Sequence, residues 1–470
     1  MPESALTGGC PLYWPINRLV AAYRRGALSP VEVVEQAIAR ANRFDSSLNA
    51  YLTRLDHQAR EQAKAAESAY RTGEASPLCG VPISIKDTFP LAGSVTTFGS
   101  AVYRDNITSE DSGVVRRLRN AGAVFTGKTN TAEFGQSATT ENRLGADARN
   151  PWDVTRTPGG SSGGAAATVA AGFATAAIGA DGGGSIRIPA AFTGVFGIKP
   201  TTGLCKDENG LRAMSDFISP GPITWRAADA RIVLGVLAER EYRRAVVGTK
   251  LRVGWCPRPT NSPVDSGVAA VVSRAVAALT DMGHEVIECT LPLDGWNDAF
   301  ATLVLAEEHR ERGHLFDQAA GSLSDYERKS LEAARNIMAA DIEKARTVHH
   351  AYRKKIAALF KHYDAIVTPT TAVTAFRLNE RPTEISGEPV GWLWGAFPFA
   401  VPFNVSGHPA ASIPCGLQNR LPIGVQLVAC HDGEELLLNL AEDLEQALAF
   451  DASAVREKWS TTAVGAQEAS

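Results

Sequence analysis

Two serines, each beside a run of glycines, are the residues whose types and spacing could do chemistry. Ser161 lies in TPGGSSGG at 157–164, and Ser185 follows successive glycines in DGGGSIRIP at 181–189. Successive glycines let the backbone aim several N–H groups at one point, and such a nest beside a hydroxyl would stabilise the oxyanion of an acyl transfer. A close-packed Ala/Gly helix between tight turns would have the same composition, so the residues alone leave both interpretations open.

A serine nucleophile needs a base, and no histidine lies near this segment. A lysine that burial keeps neutral can take that role. Lys86 ends the apolar stretch VPISIK at 81–86, and burial there would lower its pKa. A lysine at the end of a strand is more often a surface residue, so Lys86 is a candidate base with a surface position as the alternative.

The stretch GAVFTGKT at 122–129 matches the phosphate-binding pattern GxxxxGK[ST]. That motif needs a strand before its first glycine and a helix after its Lys-Thr pair. Here a helical pattern precedes Gly122, and the apolar residues 123–125 are strand-like, so they would not leave a backbone cradle for phosphates. The context predicts that nucleotide binding, the alternative function from another class, is a false match.

Composition and charge exclude several other classes of protein. The 470 residues carry a formal net charge of −4, so no basic face indicates nucleic acid binding, and no stretch predicts a secretory signal or a membrane span. The seven cysteines are scattered without a CxxC pair, which favours reduced thiols in the cytoplasm and no structural zinc. We expect a small-molecule partner, no nucleic acid, no membrane and no metal, with a homodimer left open.

Strand and helix patterns alternate along the chain without a linker or repeat, which predicts one large α/β domain over 1–470. Several stretches closely resemble the amidase signature family, and together they cover most of the chain from about residue 17 to 448. They are GVPISIKD at 80–87, TGKTNTAEF at 126–134, NPW at 150–152, GGSSGG at 159–164, DGGGSIRIPAAFTGVFGIKPTTG at 181–203 and FNVSGHPAASIPCG at 403–416.

The resemblance implies a central twisted, mostly mixed β-sheet covered by helices on both faces. Around it we expect a helical N-terminal region over about 1–70, a catalytic core over about 71–290, a variable helical region over about 291–361, and C-terminal strands and a helix over 362–450. It also implies an amidase that acts on carbon–nitrogen bonds other than peptide bonds, through an acyl-enzyme and without a cofactor.

By the same resemblance Ser185 is the nucleophile, Ser161 relays its proton and Lys86 is the base. The family has a cis peptide bond before the relay serine, here Gly160–Ser161. The other implied positions are the oxyanion-hole amides of Gly182, Gly183, Gly184 and Ser185, Ser162 as a support for Lys86, Asp181 with Arg187 as the tie of the nucleophile loop, and the pocket backbone at Gly135. The usual Asp-Thr-Gly-Gly-Ser of the family is Asp-Gly-Gly-Gly-Ser here, which affects only the stiffness of the loop.

Ile188 follows the nucleophile by three residues, and Trp392, Trp394 and Phe397 belong to an aromatic segment; all four are predicted to line the substrate pocket, with a core position as the alternative for the aromatic residues. No lysine or arginine occurs from 388 to 418, and Arg187 is expected to pair with Asp181. A buried, unpaired substrate carboxylate would be costly. We therefore expect neutral aryl or alkyl amides as substrates, with carbamates (urethanes) and esters as further candidates.

The alternative function within the family is the amidase subunit of a glutamine-dependent tRNA amidotransferase, which works with partner subunits. The segment EPVGWLWGAFPFAVP at 388–402 lacks the Asp-Pro and Met-Tyr pattern associated with the glutamine site of that subunit. This difference favours an enzyme that acts alone.

Overall fold

The computed structural model describes residues 9–245, 250–258 and 262–460. The α-helices are α1 Ile16–Arg24, α2 Pro30–Leu48, α3 Asp56–Thr72, α4 Gly113–Asn120, α5 Gly163–Ala170, α6 Arg187–Thr193, α7 Ala227–Leu237, α8 Ser266–Asp281, α9 Asn297–Ala319, α10 Asp325–Ala334, α11 Ala339–Ala357, α12 Val401–Val405, α13 Glu434–Leu448 and α14 Ser453–Lys458. Short 3₁₀ turns lie at Pro11–Tyr13, Ala101–Tyr103, Glu133–Gly135, Ala320–Ser322 and Ala358–Lys361.

The strands are β1 Tyr51–Arg54, β2 Pro82–Lys86, β3 Val124–Thr129, β4 Ala176–Asp181, β5 Phe196–Lys199, β6 Ser219–Thr224, β7 Arg252–Trp255, β8 Glu285–Glu288, β9 Ala365–Pro369, β10 Glu384–Ile385, β11 Glu388–Pro389, β12 Ala410–Gln418 and β13 Leu421–Ala429. All except β10 and β11 form a single 11-stranded sheet in the order β1-β3-β2-β4-β6-β5-β12-β13-β9-β7-β8. The sheet is mixed, because β2 runs parallel to β3 and β4 whereas β6 runs antiparallel to β4.

Both faces of the sheet are buried, as β4 illustrates. Ala176, Ile178 and Ala180 join one apolar cluster, which also contains residues of α4, α7, α8 and α13. Ala177 joins a second cluster, which contains residues of α2, α5 and α14. Successive side chains of a strand point to opposite faces, so helices cover the sheet on both sides. The predicted α/β fold class is thereby confirmed, whereas the boundaries given to its parts stay a prediction.

The segment that matches the phosphate-binding pattern is a buried strand. Val124–Thr129 form β3, which lies between β1 and β2, and every residue of this strand is buried. Lys128 is paired with Asp87 at 2.8 Å, with both side chains fully buried. A strand interior offers no loop of free N–H groups to phosphates, so this segment lacks the loop that the motif requires.

Helices α9, α10 and α11 lie between β8 and β9 in the chain, and α10 and α11 both pack against α9. Residues of α9 and α10 reach the cavity beside Ser185. No helix among the described residues is both long and apolar enough to cross a bilayer.

Candidate active site

Lys86 is the last residue of β2 and is buried, with 1% of its surface exposed, so the alternative of a surface lysine is wrong. Its Nζ donates to the Ser161 hydroxyl at 2.7 Å and to the carbonyl oxygen of Ala180 at 3.3 Å. Burial lowers the pKa of the Lys86 ammonium to about 7, although the charge of Asp181 opposes this shift. Lys86 is therefore in part neutral at neutral pH and can accept a proton.

Ser161 lies at the turn that leads into α5, and the peptide bond Gly160–Ser161 is cis, as the resemblance implies. Gly160 must be a glycine, because a Cβ there would lie 2.2 Å from the carbonyl oxygen of Thr139. The Thr140 hydroxyl donates to the carbonyl oxygen of Gly159 at 2.8 Å and accepts from the Gly163 N–H at 3.1 Å. This threonine holds the turn from both sides and thereby fixes the position of the Ser161 hydroxyl.

Ser185 lies in the loop between β4 and α6. The Ser162 N–H donates to the Ser185 carbonyl oxygen at 3.2 Å, so the two serine segments are directly joined. Asp181, the last residue of β4, accepts from the N–H groups of Gly184 at 2.7 Å and Ile186 at 3.2 Å. The Gly184 N–H thus stabilises the loop through Asp181, whereas the resemblance predicts that it points into the oxyanion hole.

Arg187 and Asp181 form a fully buried ion pair, with Nε–Oδ2 at 2.9 Å and Nη2–Oδ1 at 3.0 Å. The guanidinium also donates to Asn404 Oδ1 at 2.6 Å, to Gln426 Oε1 at 2.7 Å and to the carbonyl oxygen of Ala400 at 3.1 Å. Burial alone would raise the pKa of Asp181, but the Arg187 charge outweighs it and holds this pKa well below its usual range. Arg187 is therefore committed to the loop and not to a substrate.

Ser162 acts on Lys86 only indirectly. Its hydroxyl lies 3.4 Å from both the N–H and the carbonyl oxygen of Ala180, and that carbonyl accepts from Lys86 Nζ. Ser162 therefore positions the backbone that holds Lys86, which is a more distant form of the predicted support.

A cavity of about 650 Å³ opens beside Ser185. Its walls are mainly apolar, and its polar lining is sparse. The apolar part includes Ala138, Met214, Phe300, Ala301, Val304, Leu305, Ala333, Trp392, Leu393 and Trp394, and the polar side chains are Gln136, Ser137, Ser185, Asn297, Tyr326, Lys329 and Ser330. No carboxylate occurs among the described residues of this lining, and Lys329, which is exposed, supplies its positive charge.

A second cavity of about 550 Å³ reaches Lys86 and Ser161, and the two cavities share Gly135 and Met214. Gly135 has a φ of +74°, and a Cβ there would lie 3.5 Å from Ser161 Oγ and 3.8 Å from Lys86 Nζ. Backbone rather than a side chain thus faces the lysine–serine pair at this position.

The predicted pocket residues separate into two groups. Trp394 packs against Phe300 and, with the half-exposed Trp392, lines the cavity beside Ser185. Ile188 and Phe397 are fully buried in an apolar cluster and line neither of the two cavities. Ile188 lies beneath the nucleophile loop, where its Cδ1 would be 2.7 Å from a Cβ on Gly184.

Sequence reasoning missed Gln136 and the charged residues behind it, Glu308 and Arg312. Gln136 lines the cavity, and its Nε2 donates to the buried Glu308 carboxylate. Gln136 directly follows the predicted Gly135, which is the one local signal for it. Glu308 and Arg312 lie in a helix with many charged residues, where a solvated face is the usual expectation.

The family model for amidases matches residues 32–438 of this chain. The chain belongs to the amidase signature family. The family assignment and the predicted class of enzyme, an amidase acting on carbon–nitrogen bonds, are thereby confirmed.

Curated relatives carry the name of the alternative function. The chain is 34% identical to a glutamyl-tRNA(Gln) amidotransferase subunit from Moorella thermoacetica, over 93% of this chain and 97% of the relative. It is 33% identical to the corresponding protein of Symbiobacterium thermophilum, over 91% and 94%. These names favour the alternative over an amidase that acts alone.

Solved structures with this fold include enzymes named for other amides. A bacterial aryl acylamidase of the amidase signature family has a TM-score of 0.87 and 26% identity, over 94% of this chain and 98% of its own. A 6-aminohexanoate cyclic dimer hydrolase with bound substrate has a TM-score of 0.85 and 27% identity, over 94% and 99%. The fold is therefore shared by amidases with different substrates.

Proposed function

We propose that this chain hydrolyses neutral amides with an at least partly apolar acyl group through an acyl-enzyme on Ser185. One observation carries the proposal: the segment with the buried pair of Lys86 and Ser161 is hydrogen-bonded to Ser185 through the Ser162 N–H, and Ser185 lines an apolar cavity without a carboxylate among its described residues. Aryl and alkyl amides fit this lining best, and carbamates and esters are further candidates. A zwitterion would leave its ammonium group without an acidic partner there.

In the proposed mechanism neutral Lys86 draws a proton from Ser185 through the Ser161 hydroxyl. Ser185 Oγ attacks the carbonyl carbon of the amide, and the lysine then returns the proton through Ser161 to the leaving nitrogen. Water repeats the relay in the second half, which releases the acid and restores Ser185. The short contact between Lys86 Nζ and Ser161 Oγ, at 2.7 Å, supports the first link of this relay.

The oxyanion would be held by backbone N–H groups in the loop after β4. Because the Gly184 N–H donates to Asp181, we assign this role to Gly182, Gly183 and Ser185. Arg187 and Asp181 hold the loop in place, so that these donors are arranged before the reaction begins. Such preorganised donors stabilise the developing charge without a cost of reorientation.

The second candidate is the amidotransferase function named by the curated relatives. Its glutamine-dependent chemistry requires a site for a zwitterionic substrate. Lys329 would pair with a substrate carboxylate at the rim of the cavity beside Ser185, but the described lining of that cavity offers no acidic residue to the α-ammonium group; Asp207 and Glu208 line the adjoining cavity instead. The composition of the cavity therefore leads us to rank the neutral amide first.

Activity of the purified chain, tested without other subunits, separates the two candidates. A neutral anilide, an aliphatic primary amide and glutamine would be compared, with the Ser185→Ala variant as the blank. We expect kcat/KM for a neutral amide to exceed that for glutamine at least tenfold. A preference for glutamine, or turnover only after partner subunits are added, would favour the second candidate.

We further propose a cytoplasmic enzyme whose partner is its small-molecule substrate, with a homodimer as the assembly to test. The cysteines support a reducing environment, since all seven lie within the described residues and are free thiols.

A further inference from the structure

Gln136 is the polar side chain that directly follows Gly135 in the wall of the cavity beside Ser185. Its Nε2 donates to the carboxylate of Glu308, which lies on α9. Its Oε1 has no hydrogen-bond partner within the described part of the chain and is not enclosed by protein, although the residue as a whole is only 8% exposed. An amide held at its nitrogen end thus presents its oxygen to the cavity.

The orientation of this amide depends on the charge of Glu308. Arg312 donates through Nε and Nη2 to the two oxygens of Glu308, and both residues are buried. A carboxylate paired in this way can only accept, so the Gln136 group in contact with it must be the NH₂. The guanidinium of Arg312 itself is fixed by the carbonyl oxygen of Arg212 at 2.7 Å.

A third buried carboxyl group, that of Glu327 on α10, lies beside Glu308; burial raises the pKa of Glu308, and the charge and hydrogen bonds of Arg312 oppose that shift. Burial raises the pKa of Glu327 well above its usual value, and the neighbouring Glu308 charge adds to this shift. Neither oxygen of Glu327 has a donor among the described residues. Glu133 lies close enough to add negative charge. A protonated Glu327, whose O–H donates a hydrogen bond to the Glu308 carboxylate, satisfies this arrangement, with Arg312 as the matching cation.

We infer that Gln136 is a specificity-determining residue whose Oε1 accepts a hydrogen bond from the N–H of the scissile amide, and that Glu308 is its positioning residue. The inference rests on the proposed function and narrows its substrates to primary and secondary amides. Gly135 supports this placement, because a Cβ on it would be 3.5 Å from Ser161 Oγ. Gln136 follows Gly135 in the chain and lines the same cavity as Ser185.

This contact would help the reaction as well as binding. An N–H held by Gln136 on one side leaves the lone pair of the nitrogen free to turn towards Ser161 as the tetrahedral intermediate forms. No bond to Gln136 forms or breaks, and the proton balance of the relay is unchanged. An ester lacks the N–H and gains nothing from the contact.

The test compares an anilide with the phenyl ester of the same acid, each carrying the same ring substituent. Gln136→Met keeps the size of the side chain but removes the acceptor. We expect kcat/KM for the anilide to fall about three- to tenfold, as for the loss of one neutral hydrogen bond, and kcat/KM for the ester to change less than twofold. Tyr326→Phe, which removes another polar atom from the same cavity, should affect both substrates alike.

Glu308→Gln is the second variant. Its new N–H can donate to Gln136 Oε1, which would flip the Gln136 amide so that its NH₂ and no longer its Oε1 faces the cavity. We expect the ratio of anilide to ester kcat/KM to fall as for Gln136→Met, whereas a merely structural role would lower both values equally. Equal losses on the two substrates in both variants would overturn the inference. A wild-type enzyme that hydrolyses neither substrate would instead contradict the proposed function.

Discussion

At the scale of single residues, the site depends on the enclosure of one amino group. Lys86 Nζ has two oxygen neighbours, Ser161 Oγ and the carbonyl oxygen of Ala180, and neither carries a formal charge. Its proposed role as a base therefore depends mainly on desolvation, which disfavours the ammonium form. The same enclosure places Ser161 where it can pass a proton in either direction.

Activity should therefore follow the titration of Lys86. Burial lowers the pKa of this lysine to about 7, and only the neutral amine can act as a base. We expect kcat/KM for a neutral amide to rise with pH as one group loses a proton near pH 7, and to level off above it. The measurement is a pH profile from pH 5 to 9. A maximum below pH 6 would be incompatible with a lysine base.

Lys86→Ala should impair amide hydrolysis more than the hydrolysis of an activated ester. An amine leaves poorly unless it is protonated, whereas a nitrophenolate leaves without help, and the relay from Lys86 supplies that proton. General acid–base catalysis typically contributes about 10²–10⁴-fold, so we expect at least a hundredfold greater loss on the amide. The readout is kcat/KM for a matched amide and ester. Equal losses would remove Lys86 from the role of proton donor.

At the scale of elements, β4 and α6 flank the loop of the proposed nucleophile, Ser185, and one ion pair holds this loop. Asp181 ends β4, Arg187 begins α6, and both side chains are fully buried. Arg187 also donates a hydrogen bond to Asn404, which lies in α12. The geometry of Ser185 thus depends on contacts between elements more than 200 residues apart, since Arg187 and Asn404 are separated by 217 positions.

Arg187→Met should destabilise the protein strongly and also lower kcat. Removing one partner of a buried ion pair leaves the other charge uncompensated, which costs about 3–5 kcal/mol. Urea denaturation measures the loss. Arg328→Met is the matched control, because its pair with Asp325 is exposed on both sides and should contribute less than about 1 kcal/mol. Similar losses in the two variants would contradict the supporting role of Arg187.

Gly135→Ala should lower activity while the fold remains intact. The φ of +74° at this position is unfavourable for alanine, and the new Cβ would be in van der Waals contact with Ser161 Oγ and Lys86 Nζ, so the strain it causes arises next to the catalytic pair. We expect at least a tenfold loss in kcat/KM. Gly145→Ala serves as the control, since a Cβ there meets no atom within 4 Å. Full activity of Gly135→Ala would show that the lysine–serine pair tolerates a side chain at this point.

At the scale of the whole molecule, the parts that could be predicted from the sequence are those encoded in short stretches. Lys86, Ser161 and Ser185 lie in local motifs, and the resemblance covers the fold as a whole. Side-chain direction was harder to predict: Ile188 points beneath the loop, and Phe397 joins the core. That difference depends on packing between distant segments, which spacing along the chain does not encode.

The Gln136 contact is the clearest case of a feature that sequence patterns could not reveal. Gln136 and Glu308 are 172 positions apart, and Glu308 lies in a helix whose charges suggest a solvated face. Only the packing of α9 and α10 against the catalytic segment buries these charges together. We expect such contacts to determine the substrate preference of the chain, whereas the motifs indicate the class of reaction.

We propose that this chain, acting alone, forms an acyl-enzyme on Ser185 from a neutral amide. Acid quenching during steady-state turnover of an anilide, followed by peptide mass mapping, tests it most directly. We predict that the mass of the acyl group appears on the peptide that contains Ser185 and is absent from the Ser185→Ala variant, which should have lost turnover. Acylation of a different residue, or continued turnover of the anilide by Ser185→Ala, would contradict the claim.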